Sequence, residues 1–120
     1  MWKVEKKKGG QMYAMKEMLK SRVISKRSVN SVMNERKLLS QLNHPFLVNM
    51  NHAFQDRENL YLVMDLLQGG DLRYHISKHR RFSEAQVRFF VASMLVGLEV
   101  VHNKGIIHRD IKPENLVFDA

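Results

Sequence analysis

The spacing of apolar positions changes several times along the chain. Near the start, Lys8-Gly9-Gly10-Gln11 reads as a turn between two short extended segments, the second running through Met12, Tyr13, Ala14 and Met15. Over residues 28–42, from Ser28 on, the apolar residues Val29, Val32, Met33, Leu39 and Leu42 recur at helical spacing, and Asn43-His44-Pro45 ends the pattern. Residues 46–50 and 60–66 are rich in apolar and aromatic side chains. The polar segment Gln55-Asp56-Arg57-Glu58-Asn59 lies between them, which predicts an antiparallel strand pair. Gln68-Gly69-Gly70-Asp71 breaks this run and opens a short helix through Ile76.

Ser83-Glu84-Ala85-Gln86 has the spacing of a capping box, in which Ser and Gln satisfy the first free amides of a helix. Val87, Phe90, Val91, Met94, Leu95, Leu98 and Val101 then hold a helical stripe up to Asn103-Lys104-Gly105, a stop signal, so a long core helix is expected. The order of strands, helix, strands and then helices predicts an α+β fold with a helical finish. The change of class near Gly69-Gly70 predicts two lobes, residues 1–67 and 68–120.

Composition narrows the picture only a little. At 120 residues, with 44% hydrophobic and 27% charged residues, the chain resembles an ordinary globular domain. Eight methionines read as flexible fillers of a core. A formal charge of +8 permits nucleic-acid or membrane-surface binding. The basic residues are nevertheless spread over Lys6-Lys7-Lys8, Lys26-Arg27, Arg36-Lys37 and His79-Arg80-Arg81, which predicts a solvated surface and no nucleic-acid partner. No cysteine and no signal-peptide pattern are present, and the expected setting is intracellular and cytoplasmic. The most apolar window, residues 60–67, is too short for a membrane span and contains Asp65.

The chemistry gathers near the end. His108-Arg109-Asp110-Ile111-Lys112-Pro113-Glu114-Asn115 places a base, cations and an amide within eight residues. It matches the pattern H-R-D-x-x-x-x-N of the protein-kinase catalytic loop at every fixed position. Upstream, Tyr13-Ala14-Met15-Lys16 resembles the V-A-I-K strand of that family, and Glu35 follows Lys16 by nineteen residues on the predicted helix. Alone, Lys16 would be a solvated strand end and Glu35 a solvated helix residue; the catalytic loop reverses that expectation. His44–Val48 (HPFLV), Arg81–Glu84 (RFSE) and the Asp-x-Lys of the loop resemble the AGC group of serine/threonine kinases, and residues 65–75 (DLLQGGDLRYH) are most similar to its YANK branch.

The resemblance covers essentially the whole chain and implies a partial bilobal kinase fold using ATP and Mg²⁺. It implies that Lys16, fixed by Glu35, holds the ATP phosphates as a positioned charge. Ala14 and Val117 would enclose the adenine, with Met64 behind it. Backbone groups between Asp65 and Leu67 would pair with its edge, and Asp71 would contact the ribose. Asp110 would accept the hydroxyl proton of a substrate Ser or Thr, Lys112 would neutralise charge on the transferred phosphoryl group, and Asn115 would offer an oxygen to Mg²⁺. Leu39, Met50 and His108 match positions that stack as a spine. Arg109 would pair with a phosphorylated or acidic activation segment, and Asp71 and Glu114 would attract a basic residue of the substrate protein.

The family's Gly-rich loop and D-F-G segment have no counterpart here; Gly9-Gly10 belongs to a turn and lacks G-x-G-x-x-G. The expected reading is therefore a piece of a serine/threonine kinase, inactive alone, with the Val87–Val101 stripe left facing water. The alternative is a non-catalytic kinase-like binding module or decoy.

Overall fold

A computed structural model describes residues 1–27 and 29–119. The chain divides into two compact units, Met1–Leu66 and Leu67–Ala120.

The first unit is built on a four-stranded antiparallel sheet: β1 (Trp2–Glu5), β2 (Met12–Leu19), β3 (Met50–Gln55) and β4 (Asn59–Asp65), in the order β1-β2-β4-β3. Two helices, α1 (Lys20–Ser25) and α2 (Val29–Leu39), connect β2 to β3. Being central, β4 carries the deepest burial: Leu62 and Val63 are buried, joined by Tyr13 of β2. Side chains alternate across a strand, so the β2–β4 register decides which residues share a face. Ala14 stands opposite Met64 and Lys16 opposite Leu62, which places these four on one face. Tyr13, Met15, Val63 and Asp65 take the other.

Several sequence expectations shift here. The predicted helix begins in the structure at Val29; Ser28, its expected first residue, lies outside the described residues. It ends at Leu39, three residues short of Leu42, in a run of turns closed by Gln41 N–H to Leu38 and Leu42 N–H to Leu39. Helix α1 was not foreseen, because its six residues are too few to show a period. The strand predicted over residues 46–50 starts only at Met50. Pro45 has no N–H to give a ladder, and the segment before Met50 is instead a turn. Leu47 N–H bonds the His44 carbonyl at 3.0 Å, Phe46 N–H bonds His44 Nδ1 at 3.1 Å, and His44 N–H bonds Asn49 Oδ1 at 3.0 Å.

The polar segment between β3 and β4 is a turn organised by Asp56. Its Oδ1 accepts from the N–H groups of Glu58 (2.8 Å) and Asn59 (2.7 Å), and its Oδ2 accepts from the Tyr61 hydroxyl at 2.8 Å. The Asp56 carbonyl takes a fourth bond from Lys20 Nζ. Tyr61 also stacks on Phe54 across the ladder.

The second unit holds α3 (Leu72–His79), α4 (Glu84–Asn103) and a single 3₁₀ turn, Pro113–Asn115. Asp71 caps α3, its Oδ1 accepting from Tyr74 N–H at 2.8 Å. The capping box at α4 forms as expected: Ser83 Oγ accepts from Gln86 N–H at 3.2 Å, and Gln86 Oε1 accepts from Ser83 N–H at 2.9 Å. Two segments far apart in sequence pair as a short ribbon, with Gly69 N–H to Phe118 O and Phe118 N–H to Gly70 O at 2.9 Å each, and Leu72 N–H to Leu116 O at 2.8 Å. Gly69 is obligatory there, since a Cβ would stand 2.5 Å from the Asp119 carbonyl oxygen and 2.6 Å from that of Phe118.

An edge-to-face aromatic chain ties the ribbon to the helices, running from His75 to Phe118, Phe118 to Phe90, and Phe90 to Phe82. The expectation of a core helix is met only in part: of α4, Gly97 and Val101 are buried, whereas Val87, Val91 and Leu95 of the predicted stripe are exposed. Within the second unit the described elements cover only one side of this helix. By length and composition alone α4 is apolar enough to cross a membrane, a test that the core helix of a soluble protein also passes.

The Asp56 turn sets an acid limit on the first unit. The backbone bond from Asn59, then those from Tyr61 and Glu58, hold its carboxyl below the usual 3.8. A depressed carboxylate contributes stability that is full above its unfolded value and is lost as pH falls through the folded one. Asp56→Asn should flatten that acid limb in urea-unfolding midpoints followed from neutral pH downward. An acid limb identical to that of the parent chain would remove Asp56 from the effect.

Candidate active site

The first unit positions its candidate residues through the sheet. Ala14, Lys16 and Met64 share a face by register. From there the Lys16 side chain reaches α2, where its Nζ lies 3.7 Å from Glu35 Oε1, with both side chains close to half exposed. A pair this open and this long contributes about 0–1 kcal/mol to stability. Its value is geometric, since it restricts where a long flexible ammonium can point.

Asp65 ends β4 on the opposite face, and its carboxylate is fully engaged there. Oδ2 accepts from Asn49 N–H (2.9 Å) and Asn49 Nδ2 (3.1 Å), and Oδ1 accepts from Asn51 Nδ2 (2.9 Å). The Asp65 N–H donates to the Asn49 carbonyl at 3.0 Å. This anchor was missed in the sequence, because nothing in the local pattern ties Asn49 or Asn51 to an aspartate fourteen or sixteen positions later. Leu39 and Met50 are half-buried.

In the second unit the ribbon brings Asp71 and Val117 together as a bridged antiparallel pair, although forty-six positions separate them. Leu67 begins this unit, half-buried. Glu114 is exposed on the 3₁₀ turn, and His108 and Arg109 are exposed on the loop before it.

The tightest cluster is Asp110, Lys112 and Asn115. Asn115 Nδ2 donates to both the carbonyl oxygen and Oδ2 of Asp110, at 2.9 Å each. Lys112 Nζ lies 3.2 Å from the same Oδ2. Among the described residues Oδ1 of Asp110 has no partner, so one carboxylate oxygen is held and the other is open. The two acceptors of Asp110 also fix the Asn115 amide, because only its NH₂ can face them, and its Oδ1 is thereby turned away.

Local backbone geometry builds this cluster. Pro113 opens the 3₁₀ turn with its φ already set, and Asn115 N–H closes on Lys112 O at 3.0 Å. Arg109 sits at φ 65°, a left-handed conformation that costs a non-glycine residue on the order of 1 kcal/mol or more. The Asp110 N–H donating to His108 Nδ1 at 3.2 Å helps hold it.

Asn115 Oδ1 suits a hard cation such as Mg²⁺. Among the described residues no three His, Cys, Asp or Glu side chains converge as a metal site. A single amide oxygen fits an ion that draws its remaining ligands from phosphate oxygens and water, as Mg²⁺ commonly does.

The hydrogen bond from Lys112, then that from Asn115, holds the Asp110 carboxyl below its usual 3.8, and the Lys112 charge acts the same way. Lys112→Met should therefore move the Asp110 carboxyl pKa upward, and Asn115→Ala should do so by less. Carbon-detected NMR titration of the Asp carboxyls reads this directly. An unchanged midpoint in the Lys112 variant would show that the ammonium is not its partner.

With this geometry in place, comparison with known proteins is decisive about kinship. The protein kinase domain family model matches residues 1–120. A probable serine/threonine-protein kinase of Dictyostelium discoideum is 46% identical over 109 residues, which cover 91% of this chain and 24% of the relative. The RAC family serine/threonine-protein kinase homolog of the same organism is 43% identical over 114 residues, 95% of this chain and 26% of the relative. Mouse serine/threonine-protein kinase 32C, of the YANK branch, is 43% identical over 116 residues, 97% of this chain and 24% of the relative. The chain spans about a quarter of the length of these relatives. The match over every residue, and serine/threonine kinases of the AGC group among the relatives, establish that this chain belongs to the protein kinase domain family.

Proposed function

We propose that the chain is the part of a serine/threonine protein kinase that supplies the catalytic aspartate and most of the nucleotide contacts for transfer of the ATP γ-phosphate to a protein hydroxyl. The observation that carries this reading is the divided carboxylate of Asp110: Oδ2 taken by Lys112 and Asn115, Oδ1 open.

A carboxyl held below its usual range is ionised at neutral pH and is a weak proton acceptor. That suits a loose transition state, in which the attacking oxygen needs little negative charge before bond formation is advanced. The work of Asp110 is then to hold the acceptor hydroxyl on Oδ1 in line with the γ-phosphorus and to take its proton late. Lys112, beside the carboxylate, supplies positive charge to the phosphoryl oxygens in transit. Mg²⁺, which kinases of this family generally use with ATP, would neutralise phosphate charge, and Asn115 Oδ1 is its proposed ligand here.

From the first unit we assign Ala14, Met64 and the Asp65 backbone to the adenine, and Lys16 to the phosphates with Glu35 holding it. The network of Asn49 and Asn51 on the Asp65 carboxylate supports that choice, because with the Asp65 N–H also bonded to Asn49 it leaves recognition to the Asp65 carbonyl oxygen. From the second unit we assign the Leu67 backbone and Val117 to the adenine and Asp71 to the ribose. One Asp71 oxygen caps α3, which holds the carboxylate in place. A protein substrate with Ser or Thr near basic residues is the expected acceptor.

Two measurements on the full-length gene product test this. Asp110→Ala should lower kcat for phosphate transfer to Ser or Thr peptides by at least about a hundredfold while sparing ATP affinity. Undiminished kcat would remove Asp110 from the mechanism. Lys16→Met should impair transfer, and Glu35→Gln should do so more mildly. Residues acting as one unit are non-additive, so the double variant should resemble Lys16→Met alone. Strictly additive losses would show that the pair does not work together.

A further inference from the structure

The motif Arg81-Phe82-Ser83-Glu84 has no part in the chemistry above, yet it lies in an unusual charge setting. Arg80 and Arg81 occupy the third and second positions before Ser83. Of the eight serines in the chain Ser83 alone has arginine at both, and there is no threonine.

Among the described serines the structure sets Ser83 apart by more than sequence. Ser25, Ser40, Ser77 and Ser93 donate their hydroxyls to helix carbonyls at 3.0, 2.7, 3.0 and 2.9 Å, and Ser21 and Ser31 lie within helices. Ser83 Oγ instead accepts a bond, from Gln86 N–H, and among the described residues its own proton has no acceptor. The residue is exposed in extended backbone, φ −66° and ψ 157°. Phe82, half-buried against Phe90 and His79, pins the segment while Arg80, Arg81 and Ser83 face solvent.

We propose that Ser83 is a phosphoacceptor for an arginine-directed serine kinase, and that the attached phosphate becomes the cap of α4. Ser83 Oγ attacks the γ-phosphorus of ATP and forms the Oγ–P bond. The bond from that phosphorus to the bridging oxygen breaks, ADP leaves with the electron pair, and the hydroxyl proton passes to the base of the modifying kinase. The product carries about −1.5 to −2 charge at the amino end of a twenty-residue helix, where the Glu84 and Ala85 amides have no helix carbonyl to bond and that of Gln86 already bonds Ser83 Oγ. Its surroundings suit it: Arg80 and Arg81 precede it, and Glu84, the nearest acidic group, is already paired with Arg88 at 2.8 Å.

The test treats the folded chain with ATP and a purified serine kinase that requires arginine at those two positions, mapping phosphate by tandem mass spectrometry. A single phosphate on Ser83 is expected. Arg80→Ala and Arg81→Ala should each slow its addition roughly tenfold, the effect of losing one charge-assisted bond. Ser83→Asn keeps a good helix cap and should abolish it, so lost labelling is not lost folding. The phosphorylated chain should also unfold at higher urea than the unmodified one. Labelling at other serines, indifference to both arginines, or addition only after unfolding would overturn the acceptor assignment, and a lowered urea midpoint would overturn the capping role.

Discussion

The second unit depends on one amide. Asn115 binds both the main-chain and the side-chain oxygen of Asp110, so a single residue closes the loop and aims its carboxylate. Had Asn115 reached only the carboxylate, the backbone at Arg109 would have had less to keep it in a left-handed conformation that its side chain disfavours. Had it reached only the carbonyl, the carboxylate would have rotated freely beside Lys112. The bidentate arrangement makes backbone strain and side-chain direction the same constraint. Because it consumes the NH₂ group, it also decides that the amide presents oxygen outward, the one side-chain atom of Asn115 able to serve a cation.

The first unit solves a different problem, which is how to place a cation and a flat apolar surface side by side. Strand alternation does this without a dedicated device: Ala14 and Lys16 are two apart on β2 and must share a face, and Met64 joins them by register with β4. The same alternation sends Asp65 to the other face, where Asn49 and Asn51 neutralise the need of its carboxylate for hydrogen bonds. An acidic side chain can therefore end the strand with both carboxylate oxygens hydrogen-bonded on the face away from Ala14, Lys16 and Met64.

Both units show polar groups organised by short-range bonds in place of deep burial. Asp56 gathers a turn, Asp71 and Ser83 cap helices, and Asp110 collects Lys112 and Asn115, all at or near the surface. Four hydrophobic side chains make up the buried core of the described residues, Tyr13, Leu62, Val63 and Val101. With so little apolar area removed from water, the ladders, caps and turns carry an unusual share of the specification of the fold.

Much of this was determined by the sequence alone. The H-R-D-x-x-x-x-N run of residues 108–115, the Lys16 strand, the capping box at Ser83 and the long helix behind it are local patterns whose residues lie close along the chain, and local patterns survive without knowledge of the fold. The helix boundary at Leu39, the late start of β3 and the exposure of Val87, Val91 and Leu95 were decided elsewhere. A helix stripe reports that one side is apolar but not whether another element arrives to cover it. The run at residues 46–50 looked like a strand because its side chains favour one; His44 and Asn49 took its backbone groups for a turn. Likewise no spacing rule joins Asp71 to Val117 or Asp65 to Asn49. Those pairings required a glycine with no room for a Cβ and a strand end facing an asparagine, and only the folded chain brings such partners within hydrogen-bonding distance.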